Sequence, residues 1–149
     1  MQMLRKVVLL VFAVFLISAN VALAESQGNP YFPVMPKYTI LEAESFNRDF
    51  DQHTFKVSNG TIRQEGKKYY SIYNPKEDVT PYSALQIIRN HTNAAISMGG
   101  KVLLDVDEYH NRTTTMTLKR NNKDLWVEVV AHHAGEWYTI TIIEIASTK

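Results

Sequence analysis

Cysteine is absent from the 149 residues. That excludes disulfides, thiol metal ligands, a thiol nucleophile and a lipid anchor on a mature cysteine. Glycine (6) and proline (5) are few, so neither a collagen-like repeat nor a low-complexity segment is present. No charge sign dominates: 16 Lys and Arg face 15 Asp and Glu. A chain so balanced offers no electrostatic footprint for nucleic acid or an anionic membrane. A G-x-S-x-G elbow, H-x-x-x-H spacing at helical positions and an EF-hand loop with its glycine are also missing.

The one long apolar run is at the start. Arg5 and Lys6 precede an apolar stretch from Val7 to Ile17, and Ala22-Leu23-Ala24 supplies a small-residue cleavage site. This pattern predicts a secretory signal peptide over 1–24, too short to span a bilayer of roughly 20 helical residues. Its removal takes two basic residues and leaves 14 against 15 acidic ones. No transmembrane segment is expected after cleavage. An exported domain without disulfides must rely on its core, which suits the bacterial periplasm, or alternatively a secreted protein.

The mature chain reads as one β-rich α+β domain over 38–149, behind a Pro-rich lead-in over 25–37. Its centre is the stretch Thr80–Gly100, the only long helical pattern. Thr80 is the expected N-cap and Pro81 the first helical residue, with Gly99 and Gly100 as the left-handed stop. Ala84, Leu85, Ile88, Thr92, Ala95 and Ile96 share one face of the wheel, widened on one side by Ile87, Ala94 and Met98, with His91 near the middle of the apolar arc.

Strands are expected at 38–42, 51–57, 61–64, 68–73, 101–107, 112–120, 125–131 and 137–145. A turn at Ser58-Asn59-Gly60, a hairpin around Glu65-Gly66-Lys67 and turns at 121–124 and 132–136 separate them. Short turns imply antiparallel pairing, hence a sheet of about six to seven strands with one main helix packed on it.

Several constellations could carry chemistry. His53, His91, His110, His132 and His133 invite a metal reading, but adjacent His132 and His133 diverge on a strand and no metal or cofactor is expected. A buried His91 needs a partner. Either His91 or His110, with the carboxylates of Asp105 and Asp107, forms the candidate catalytic set, which requires convergence within about 3 Å, directly or through a water. A solvated acidic face explains Asp105, Asp107 and Glu108 equally well. Among the aromatics, Tyr70, Trp126 and Tyr138 would form a binding platform if all three lay on the sheet face away from the helix.

Three stretches carry a resemblance: PVMPKYTI, ALQIIRN, and MGGKVLLD through NKDLWVEVVAHHAGEWYTITIIE. Together they resemble the soluble N-terminal domain of exported bacterial OmpA-family proteins, in which it precedes an OmpA-like peptidoglycan-binding domain. The resemblance implies an envelope setting and supplies no catalytic residue. The chain stops at Lys149, where those proteins continue, so peptidoglycan binding through the OmpA-like domain does not transfer. The expected function is an exported, non-enzymatic binding or structural module with an envelope protein or cell-wall component as partner. The alternatives are a small periplasmic hydrolase using the His and Asp groups, and a secreted effector or inhibitor.

Overall fold

The computed structural model describes residues 28–146. The expected signal peptide lies outside the described residues. The elements in order are β1 (Tyr38–Ile40), β2 (Phe46–Val57), β3 (Gly60–Pro75), α1 (Ala84–Ser97), β4 (Lys101–Glu108), β5 (Asn111–Arg120), β6 (Lys123–His132) and β7 (Trp137–Ile145). Three-residue 3-10 turns at Glu42–Glu44 and His133–Gly135 complete them. All pairings are antiparallel in one seven-stranded sheet of order β1-β3-β7-β6-β5-β4, with β2 also on β3. With one helix packed on that sheet, the α+β class is as expected. No helix among the described residues is long and apolar enough to cross a membrane.

Four two-strand connections follow from local chemistry. Asn121-Asn122 (φ 50° and 60°) and Tyr109-His110 (φ 50° and 69°) are two-residue turns with both residues left-handed, the geometry that matches strand twist. Asn and His tolerate this conformation better than most side chains. Ser58-Asn59 turns β2 into β3, with Val57 facing Gly60. The His133–Gly135 turn joins β6 to β7.

The hairpin expected at Glu65-Gly66-Lys67 does not form. β3 runs unbroken through it for 16 residues, because Gly66 is where the strand meets the end of β7. A Cβ on Gly66 would lie 1.8 Å from the Glu144 carbonyl oxygen, so glycine serves close approach there and not a turn. Residues 60–65 continue beyond β7 and pair with β2 alone. β2 begins at Phe46, earlier than expected, and bulges between Arg48 and Asp51. β1 and β2 share one edge of β3, interrupted by the 3-10 turn.

The helix also starts later than Thr80. Its N-cap is Ser83, whose hydroxyl accepts from the Gln86 N–H (3.2 Å) while the Gln86 side chain accepts from the Ser83 N–H (2.9 Å). This reciprocal capping box outcompetes the Thr80-Pro81 start. The stop is as expected: Gly99 (φ 82°) bonds back to Ile96 and Gly100 to Ala95, a Schellman arrangement.

The sheet has two covered faces. On one, α1 buries Ile87, Ile88, His91, Thr92 and Ala95 against Met116, Val127, Val129, Ile140 and Ile142. The buried arc is rotated from the expected one, leaving Leu85 (45% exposed) and Ile96 (57%) outside. On the His91 flank the lead-in adds Phe32 and Met35 to the same core. Tyr38 ties these parts together: its hydroxyl donates to the Gly135 carbonyl (2.7 Å) and accepts from the Tyr82 N–H (3.1 Å).

The opposite face is covered by the β2–β3 hairpin, which curls back so that β2 approaches β4 and β5. Phe55, fully buried, meets Trp126 at 5.5 Å between ring centres. Lys56 reaches Glu108 at the end of β4 (3.4 Å). The sheet is thereby bent into an incomplete barrel.

Candidate binding surface

The concave face is built row by row, because cross-strand partners share a face. Tyr70, Thr141, Glu128 and Thr115 form one row across β3, β7, β6 and β5. Lys68, Ile143, Trp126 and Thr117 form the next. β2 adds Phe46, Phe55 and His53 from above. Phe46 packs on Tyr70 (5.2 Å), and Arg48 lies over the Phe46 ring (4.6 Å).

The polar centre of this face is a contact that sequence reasoning missed. His53 Nε2 lies 3.1 Å from the Glu128 carboxylate, with both side chains mostly covered. The His53 ring stands edge-on to Phe55 (4.7 Å). The contact spans 75 positions of sequence and crosses the bent hairpin, so no local pattern announces it. Beside Glu128 in the same row, the Thr115 hydroxyl is buried without a partner. Burial pushes the Tyr70 phenol above its ordinary value, and the negative charges of Glu44 and Glu128 add to that.

Trp126 also lines an open cleft of about 600 Å³ at the end of this face. Gln64, Thr117, Lys119, Asp124 and Ile145 share its wall, with Lys101 and Gly99 at the start of β4. The cleft therefore offers an indole face, an amide, a hydroxyl and both charge signs. Such a mixture fixes the orientation of a partner while burying apolar area.

The three aromatics expected to share a face do not all share one. Tyr70 and Trp126 lie on the concave face, but Tyr138 points the other way. Its register with Tyr73 and Ala131 puts it under the helix, fully buried, with the Tyr73 ring stacked at 4.6 Å. Its hydroxyl accepts from the Met35 N–H (3.1 Å). Burial raises its phenol strongly despite that bond. A one-residue shift in register reverses every side chain of a strand, and the alternation alone does not say which set meets the helix.

The candidate catalytic groups do not share hydrogen bonds. His91 is fully buried between Phe32 (5.8 Å) and Tyr138 (5.3 Å). Its Nδ1–H donates to the Ile87 carbonyl (2.7 Å), and its Nε2 has no partner. Desolvation lowers its pKa, so the ring is neutral. His110 sits in the exposed turn after Tyr109. Asp105 is held by Arg112 in a two-bonded pair (2.9 and 3.2 Å), and Asp107 is exposed. Asp105 and Asp107 do oppose Leu104 and Val106 as expected. Val102, however, joins the aspartate side, because the strand bulges between Val102 and Leu104. Among the described residues no three His, Asp or Glu side chains gather as metal ligands.

One buried carboxylate also escaped sequence reasoning. Glu144, 6% exposed, accepts from the Tyr31 and Tyr69 hydroxyls and pairs with Lys123 (3.1 Å). Burial acts to raise its pKa, but the three bonds outweigh it and hold the group below its ordinary value. Its task is structural, since it anchors the lead-in through Tyr31. The chain matches no family model, and no curated protein matches it.

Proposed function

We propose that the mature chain is an exported, non-enzymatic binding module of the bacterial envelope, which holds its partner in the cleft beside Trp126. The observation that carries this reading is the cleft itself: a partly open indole among Gln64, Thr117, Lys119 and Asp124, at the end of a sheet whose other face is filled by helix and lead-in. The leader pattern and the resemblance to envelope proteins favour an envelope protein or a cell-wall component as the partner. Hydrolysis through His91, His110, Asp105 and Asp107 lacks support, since a fully buried ring, an exposed turn and an Arg-paired carboxylate cannot act on one substrate without rearrangement.

Site-specific photocrosslinking in cells tests the reading. A photoreactive side chain at Gln64, in the cleft wall, is expected to give a discrete adduct in the periplasmic fraction. The same group at Asn93, on the outer face of the helix, is expected to give none. Adducts of equal yield from both positions, or retention of the protein in the cytoplasm, would overturn it.

A further inference from the structure

Two irregularities of the β2–β3 hairpin fall at the same level. β2 bulges between Arg48 and Asp51, and Asp51 faces Gly66, the first residue of β3 to pair with β7. A bulge bends its own strand, and glycine is the most permissive residue to set opposite it. Lys68 closes the base, with its ammonium 3.1 Å from the Gln52 carbonyl and 3.9 Å from the Asp51 carboxylate. Beyond this level residues 53–64 form a two-stranded flap, from His53↔Gln64 to Val57↔Gly60. Among the described residues no third strand joins it. Two strands alone are marginally stable in water, so the flap keeps its place through side chains.

The polar and aromatic contacts that cross from the flap to the sheet, among the described residues, are Lys56–Glu108, Phe55 on Trp126 and His53 on Glu128. Lys56 and Glu108 are both exposed, and such a pair contributes little. The docking therefore falls to Phe55 and His53. What they cover is incompletely satisfied: the Thr115 hydroxyl, beside Glu128, is fully buried and has no hydrogen-bond partner. An unpaired buried hydroxyl costs free energy in the closed form, and the cost disappears once water or a ligand reaches it. Lifting the flap takes Phe55 off the indole and His53 off the carboxylate, which uncovers Trp126, Glu128 and Thr115 as one surface. Gln64 shares the inner face of the flap with His53 and moves with it. One wall of the cleft thus rides on the flap, while Trp126, Thr117 and Lys101 stand on the sheet. We propose that residues 53–64 swing as a unit about the level of Asp51 and Gly66, opening the Trp126 cleft to admit a partner and closing over it. The gating role rests on the cleft being the binding site; the motion itself does not, and it is measured with no partner present.

Because the chain has no cysteine, one buried thiol reports the motion through its rate of alkylation by iodoacetamide. Thr115→Cys places the thiol beneath the flap. Ser71→Cys places it at a second fully buried, unpartnered hydroxyl, on the helix side of the sheet beside Ile140. At low urea Thr115→Cys is expected to react at least about tenfold faster than Ser71→Cys, with a rate nearly independent of urea, as for a local opening. The Ser71→Cys rate is expected to climb with urea, as for global unfolding. His53→Ala, which removes the latch, is expected to speed Thr115→Cys by about tenfold, and Glu128→Gln is expected to act in the same direction. An independent readout keeps Trp126 as the single tryptophan, in Trp137→Phe: acrylamide quenching is expected to rise when His53→Ala is added. Equal rates and equal urea dependence for the two thiols overturn the proposal. So does a Thr115→Cys rate, or a Trp126 quenching, that loss of the latch leaves unchanged.

Discussion

At the scale of single residues, the side chains that escape simple patterning are those held by the fold against their usual preferences. His91 is neutral because burial disfavours its charged form. In the unfolded chain its ring titrates near the ordinary histidine value of about 6.5, so below that pH the unfolded state binds more protons. Stability contributed by His91 is therefore complete above about pH 6.5 and is lost as pH falls towards the lowered folded value. Urea denaturation should show a steeper loss between pH 7 and 5 in wild type than in His91→Leu, with a slope difference of up to about 1.4 kcal/mol per pH unit. Equal slopes would mean that the ring titrates alike in the folded and unfolded states. Gly66→Ala is expected to cost about 3 kcal/mol or more, because its Cβ would collide with the Glu144 backbone rather than with a movable side chain. Chemical denaturation measures this directly.

At the scale of elements, much was legible. The leading signals for β5, β6 and β7 are alternation and Asn- or Gly-bearing turns, and the helix stop is a glycine pair; all are local, and all of these elements formed. The helix start was misread because two local signals competed. Thr80-Pro81 satisfies one N–H position, whereas Ser83 and Gln86 satisfy two reciprocally. Ser83→Ala is accordingly expected to destabilise the domain by about 1 kcal/mol, and Thr80→Ala by less than about 0.5 kcal/mol, in thermal or urea unfolding. Gly66 was misread for a different reason. A turn glycine and a close-approach glycine look alike until the neighbouring strand is placed, and β7 lies about 80 positions away in sequence by the register Gly66↔Ile145. The facing of Tyr138, the His53–Glu128 contact and the Glu144 anchor are non-local in the same way, so alternation could give their spacing but not their side.

At the scale of the molecule, the division of labour between the two sheet faces is the main result. One face is closed by α1 and the lead-in; the other is only partly roofed by the curled β2–β3 hairpin and remains open beside Trp126. The His53–Glu128 contact fastens that roof to β6. The measurement that bears most directly on this account is recovery of the envelope partner from periplasmic and cell-wall extracts by wild type and by Trp126→Ala, both checked for cooperative unfolding. The account predicts a partner retained by wild type and reduced at least about tenfold with Trp126→Ala, as for loss of a central aromatic anchor worth about 1.4 kcal/mol or more. Equal recovery by the two folded proteins would contradict it.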